Sequence, residues 1–345
     1  MAGVGRAAFL KAQEKSTADR IFKRDHSPEA LAEKAALKVK LRRVRRNRIR
    51  ANWDMYVLVA APVLLILIFS YGPMYGNVLA FQRFIPGSGM FGSEWIGFEN
   101  FTRFFNSYKF AWILKNTFVL NIYFLVAGFP APIILALLIH YCPLPKYKKT
   151  VQMTTYIPHF ISTVVMVGII FKLFTPKYGI IATIFDWFGM QRHPQFLASV
   201  KWFPHVFVWT GIWQNMGWGT IIYLAALSAV DESLHDTAKV DGANIWRRMW
   251  HIDIKTILPI VVILLILRSG SMLQIGFEKI FLMQNNLNIR ASEVISTYVY
   301  KIGLASSYPQ YSYAAAIGLF QNGISFVLLV IVNRIAKKLG DTSLW

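Results

Sequence analysis

Five stretches of the chain contain no Asp, Glu, Lys or Arg: Met55 to Gln82, Asn116 to Pro145, Thr150 to Phe171, Trp202 to Val230 and Ile302 to Asn333. A bilayer core about 30 Å thick takes roughly 20 apolar residues of helix, so each stretch is long enough to cross it. A sixth, Thr256 to Met283, is apolar but is interrupted by Arg268 and by Glu278-Lys279. The pattern predicts an all-α, polytopic integral membrane protein with six transmembrane helices. Gly128, Pro130 and Pro132 should kink the second of them, since proline lacks the amide that a helix interior needs.

Composition agrees with this class. The chain has 345 residues, of which 55% are hydrophobic and only 16% charged. An ordinary soluble domain is about a quarter charged. One cysteine, Cys142, excludes a disulfide framework. The formal charge is +20, and residues 1–50 carry 15 Lys/Arg against 5 Asp/Glu. Basic residues near spans stay in the cytoplasm, which places the N-terminus there. Six crossings then return the C-terminus, with Arg334, Lys337 and Lys338, to the same side. Both termini are therefore expected to be cytoplasmic, in a multi-pass protein of the cell membrane. The N-terminal segment has no apolar h-region and is no signal peptide. Ser27-Pro28-Glu29 reads as a helix start. Beyond it the basic run suits anionic lipid, at about 1 kcal/mol per Lys or Arg. No aromatic interleaving supports nucleic-acid binding. The expected organisation is a basic segment at 1–52, a first helix with an extracytoplasmic loop at 53–110, a core at 111–338 and a tail at 339–345.

The most informative segment runs from Asp231 to Pro259, DESLHDTAKVDGANIWRRMWHIDIKTILP. Asp231 can cap a short helix over Glu232 to Val240, and Gly242 can supply a turn. A second short helix would bring Ile245, Trp246, Met249 and Trp250 to one side, with Arg247 and Arg248 facing away. Such a pair suits an element that enters a groove on another protein. It equally suits a loop packed on its own helix ends, and periodicity alone does not separate the two.

This segment resembles the EAA motif of binding-protein-dependent ABC importer permeases, EAA-x3-G-x9-I-x-LP. Asp236-Thr237-Ala238 stand at the EAA positions, Gly242 at the Gly and Ile252 at the Ile. Asp241-Gly242-Ala243 matches the DGA common in sugar importers, while Ile254 and Lys255 depart from the Leu-Pro. Glu94 to Phe105, Ile157 to Ser162 and Leu265 to Met283 agree with the branch that imports polysaccharides and complex oligosaccharides, akin to the membrane subunits of maltose transporters. The likeness covers about residues 53–338. It implies a permease core with a cytoplasmic coupling loop at 231–258, on which Asp236, Thr237, Ala238, Asp241, Gly242, Trp246 and Met249 contact an ATPase. It further implies a second homologous permease, two ATPase subunits, an extracytoplasmic solute-binding protein and an oligosaccharide substrate.

Motifs for chemistry are absent from the sequence. There is no G-x-x-x-x-G-K-[ST] phosphate loop, no HExxH, no GxSxG and no Cys/His cluster at metal-ligand spacing. The chain is expected to be no enzyme and to hold no cofactor or metal, with ATP and Mg bound by partner subunits. His159 and His205, each after a proline, read as helix-entry residues with one hydrogen bond apiece. Arg268 lies well inside the fifth span as drawn, where a charge costs roughly 2.5–3.5 kcal/mol on insertion scales. It should face the bundle interior, a polar cavity or an acid. Aromatic faces with amides suit a sugar, which makes Trp213, Asn215, Arg268, Gln274, Gln321 and Asn322 candidates for the substrate path. Gly211, Asn215 and Gly219 also recur at the spacing of a packing seam. Arg268, with no acid in the charge-free spans, leaves room for a uronate-bearing substrate. The rivals are a secondary sugar transporter driven by an ion gradient, which needs intramembrane carboxylates, and a membrane-bound glycosyltransferase, whose acid/base pairs are missing.

Overall fold

The computed structural model describes residues 39–40, 47, 50–176, 178–189, 194–274 and 276–339. The expected helix start at Ser27-Pro28-Glu29 and the tail from residue 340 lie outside the described residues. The chain divides into two units, one up to Tyr75 and one from Gly76. In the first, α1 (Trp53–Ile66) continues through a π-helical turn at Leu67–Tyr71 into Gly72–Met74. None of its side chains is buried, and large apolar ones such as Leu58 and Phe69 stand exposed along it. A helix that is apolar all round is a membrane or interface helix.

The second unit opens on a two-stranded antiparallel hairpin, β1 (Gln82–Arg83) and β2 (Glu94–Trp95), with Arg83 opposite Glu94. After α2 (Glu99–Phe105), α3 (Phe110–Gly128) and α4 (Pro130–His140) form one long span joined at Phe129. Phe129 keeps helical φ −72° and ψ −43°, and its N–H bonds the Leu125 carbonyl at 2.9 Å, so the run stays one span where Gly128, Pro130 and Pro132 predict a kink. Next come α5 (Pro145–Tyr156), a 3-10 turn at Ile157–Phe160 and α6 (Thr163–Phe174). Here the expected straight span from Thr150 to Phe171 is corrected, because the two halves are bent by 105°. Pro158 cannot donate to the helix ladder. Ile161 is extended, and the Ser162 side chain accepts from the Val165 amide to start a new helix.

A short α7 (Ile180–Trp187) leads to the central helix, α8 (Phe203–Leu227), which packs against α3, α4 and α5. The chain continues through α9 (Glu232–Val240), α10 (Ile245–Arg248), a π-helical turn at Met249–Asp253 and α11 (Ile254–Gly270). The last elements are α12 (Phe277–Met283), α13 (Ile289–Ser292), α14 (Ile295–Tyr300) and α15 (Tyr311–Leu339). The fifth span as drawn from Thr256 to Met283 is therefore also corrected. Its helix stops at Gly270, and a left-handed Gly276 precedes α12. Arg268 consequently sits in the last turn of α11, where the helix dipole favours a cation.

Among the described residues, four helices are long and apolar enough to cross a membrane: Trp53–Phe81, Phe110–His140, Ile245–Gly270 and Tyr311–Lys338. The bent pair Pro145–Phe160 and Thr163–Phe174 would be a fifth. The 25 residues of α8 also have the length, about 37 Å at 1.5 Å per residue, but α8 is not one of these four. The protein is all-α and multi-pass.

Three apolar clusters hold the second unit. Leu120, Phe124, Met166, Phe207, Ile212 and Ile280 join α3, α6, α8 and α12. Phe104, Ile113, Ile295 and Ile317 form another. Ala136, Leu137, Tyr223, Leu227 and Ile257 form the third, with Met249 packed against it. α8 approaches α5 so closely that a Cβ on Gly217 would collide with the Thr155 carbonyl oxygen. Gly217→Ala is expected to force these helices apart at about 1–3 kcal/mol or more. The purified protein should lose several degrees of Tm in a detergent thermal-unfolding assay. An unchanged Tm would mean that the two backbones are not in contact.

Candidate functional site

Two regions gather most of the residues singled out by the sequence. The first is the helical pair at 231–253. The Asp231 carboxylate accepts from the Ser233 amide at 2.9 Å, which caps α9 and holds the carboxyl below its ordinary range. At the other end Gly242 takes φ +75°. Its N–H donates to the Lys239 carbonyl at 3.0 Å, and that of Ala243 to the Ala238 carbonyl at 2.8 Å. This is the Schellman arrangement, which needs a left-handed residue at Gly242. Asn244 then caps α10 through the Arg247 amide at 2.9 Å, a signal in the sequence that the expected helix start overlooked.

Asp236, Thr237, Asp241 and Gly242 are exposed, and Ala238 is half-buried. A hydrogen bond from Lys239 Nζ at 2.8 Å lowers the Asp236 pKa from its usual value. Trp246 is 73% exposed and Trp250 65%, with Ile245, Leu234 and Val240 also open. Met249 departs from the expected face, because it packs into the cluster around Leu227 and Ile257. Its N–H still donates to the Ile245 carbonyl, so the helix is regular up to Met249, and the neighbouring cluster rather than a change of spacing covers it. Arg248, expected to face away, is half-buried with its Nε unpartnered.

Beneath α9 lies a polar group that no spacing in the sequence announces. Asp253 is fully buried and accepts from the Tyr141 hydroxyl at 2.5 Å and from His235 Nε2 at 3.1 Å. His140 stands beside them, and potential ligand atoms of His140, His235 and Asp253 all lie within 4.8 Å of one another. Tyr141 and Asp253 are 112 positions apart, so only the fold reveals the group.

The second region is a cavity of about 220 Å³ between α3, α4, α8 and the end of α11. Asn215 and Arg268 both line it, with Trp218, Phe124, Pro132 and Gly219. Asn215 donates to the Gly211 carbonyl at 2.9 Å and meets His159 Nδ1 at 3.1 Å. The His159 ring stacks on Trp218, with centroids 4.7 Å apart and planes at 7°. His205 likewise bonds the Tyr123 hydroxyl at 3.0 Å. The Arg268 guanidinium sits over the Phe124 ring, 5.6 Å from its centroid. Among the described residues no carboxylate lies at ion-pair distance from it.

The remaining candidates are elsewhere. Gln274 donates to Asn322 at 2.9 Å, and Gln321 donates to the Leu273 carbonyl, so this set braces the break after α11 against α15. Asn322 lines a separate cavity of about 420 Å³ with Asn77, Tyr300 and Tyr311. Trp213 lines neither cavity and is half exposed.

Residues 109–341 match the family described as binding-protein-dependent transport system inner membrane component. The chain is similar to the polygalacturonan/rhamnogalacturonan transport system permease protein YteP of Bacillus subtilis (strain 168), with 41% identity over 291 residues, 84% of this chain and 90% of that protein. It is also similar to a chain in the crystal structure of a bacterial ABC transporter involved in the import of the acidic polysaccharide alginate. There the TM-score is 0.78 at 34% identity, covering 86% of this chain and 99% of that one. A chain in the structure of the bacterial alginate ABC transporter in complex with an alginate pentasaccharide-bound periplasmic protein matches with TM-score 0.79, 33% identity and the same coverage.

Proposed function

Because the chain belongs to the family of binding-protein-dependent transport system inner membrane components, we propose that it is one permease subunit of an ATP-driven importer of acidic oligosaccharides. The observation that carries the ATP-driven part is the helical pair at 231–253, which turns Leu234, Ile245, Trp246 and Trp250 outward on a rigid turn at Gly242. Exposed aromatics on a short, capped helix fit a groove in a partner. That partner is an ATPase subunit, which binds ATP and Mg. A second homologous permease completes the pore, and an extracytoplasmic solute-binding protein delivers the glycan. In this reading the chain crosses the membrane six times with both termini cytoplasmic, which puts the pair on the ATPase side.

The solute path in this reading runs through the cavity lined by Asn215, Trp218 and Arg268. Its aromatic wall suits the apolar face of a sugar ring, and an unpaired guanidinium suits a uronate carboxylate. The names of the relatives, which concern polygalacturonan and alginate, support the acidic class. Gln274, Gln321 and Asn322 serve as a brace, outside the path.

The test is ATP hydrolysis. The chain purified alone should show none, and the complex with its ATPase subunits should hydrolyse ATP faster when solute-loaded binding protein is added. Hydrolysis by the chain free of any co-purifying subunit would overturn the assignment.

A further inference from the structure

The helix α9 carries the exposed side chains of the proposed ATPase contact, yet it holds to the protein by very little. It buries no side chain completely. Of its residues only His235 and Ala238 are even half-buried. Alanine offers a methyl group and no directional bond. Among the described residues, the hydrogen bond that ties an α9 side chain to the bundle is His235 Nε2 to Asp253, at 3.1 Å, with the Tyr141 and His140 rings 6.4 Å from the His235 ring. The His235 side chain is 14% exposed and that of Asp253 0%.

Asp253 is in turn held from a third element. Its other oxygen accepts from the hydroxyl of Tyr141, the residue after the end of α4. Asp253 itself closes the π-helical turn that leads into α11. Such turns are single wide turns within a helix and are frequent at functional sites. One buried carboxylate thus joins α9, the end of the α3–α4 span and the start of α11.

We propose that Tyr141, His235 and Asp253 form a polar bolt that carries movement of α9 into the ends of two membrane helices. His235 and Tyr141 are positioning residues for coupling. The proposal rests on the reading of the 231–253 pair as an ATPase contact. The mechanical reason is that a slide of α9 relative to the bundle breaks a hydrogen bond to a buried carboxylate, leaving Oδ1 without a donor while Tyr141 still holds the other oxygen. The three groups move together instead, as two packings of one rigid joint.

Cys142, the single cysteine of the chain, follows Tyr141 and is half-exposed, so it reports on this joint. The experiment uses the complex purified through this chain with its ATPase bound. Maleimide labelling of Cys142 is timed by mass spectrometry of this chain, without nucleotide and after trapping with ATP and vanadate. In the natural protein the labelling rate should change severalfold on trapping. Tyr141→Phe and His235→Phe keep a ring of similar size and lose the donor. They should retain the ATPase but label at one rate in both conditions. His235→Gln, whose amide can still donate to Asp253, should recover the nucleotide-dependent change. A role in folding alone would alter the labelling level or the yield and leave the nucleotide-dependent change in place.

Equal nucleotide response in the natural protein and both Phe variants overturns the bolt, as does no response in the natural protein with its ATPase bound. Stoichiometric divalent metal in the natural protein, missing from His235→Phe, also overturns it, since an ion on His140, His235 and Asp253 would then make the joint. Absence of any ATPase on the natural chain instead defeats the underlying reading of the 231–253 pair.

Discussion

Gly242→Val is expected to abolish uptake while leaving the chain in the membrane. Gly242 sits at φ +75°, and a Cβ there meets nothing within 4 Å, so the cost is purely one of backbone conformation. Left-handed backbone costs an ordinary L-residue roughly 1–2 kcal/mol, and a β-branched residue is a genuine outlier there. Valine escapes by returning φ to negative values, which undoes the bonds from Gly242 to Lys239 and from Ala243 to Ala238. α10 then leaves the turn in another direction and takes Ile245 and Trp246 with it. Uptake of labelled oligosaccharide by cells should fall to background, and less ATPase should co-purify. Gly242→Asn should keep much of both, because asparagine visits the left-handed region with little strain. Unchanged uptake and unchanged ATPase recovery in the Val variant would show that this pair is not the contact.

Arg268→Ala is the second large effect. Among the described residues no acid lies at ion-pair distance from this half-buried guanidinium, whose desolvation is offset by the Phe124 ring and the dipole of α11. A hydrogen bond to a charged group is worth about 1.5–3 kcal/mol, so losing one to a uronate predicts roughly a tenfold to hundredfold fall in uptake of short oligogalacturonates. Lysine would satisfy the helix dipole as well as arginine but lacks its planar fork. Arg268→Lys should therefore restore membrane levels without restoring full uptake. If lysine restores uptake completely, charge alone matters. Full uptake with normal membrane levels in the alanine variant would remove Arg268 from the solute path.

Much of the architecture was legible without coordinates. Charge-free runs identify the membrane class because the cost of a charge in hydrocarbon acts on each residue wherever it lies in the chain. The turn at Gly242 and the Asp231 cap were equally legible, since both depend on φ and on hydrogen bonds between residues a few positions apart. The family likeness drew on the same local signals, at Asp236, Gly242 and Ile252.

Packing decided the rest. Only the folded chain shows that the Thr150 to Phe171 run bends by 105°, because the angle depends on what Ser162 and Pro158 meet on either side. It likewise moves Arg268 to a helix end and groups it with Asn215 and Trp218, apart from Gln274 and Asn322. Periodicity groups Met249 with the exposed face, but the fold packs it against the cluster around Leu227 and Ile257, residues far from it in the chain or on another helix. Tyr141, His235 and Asp253 lay furthest from view. Each is an ordinary residue in its own segment, and the buried carboxylate acquires its two donors only when α9 packs on the ends of two other helices. Local chemistry is written along the chain; which distant groups share a low-dielectric interior is set by how the helices pack.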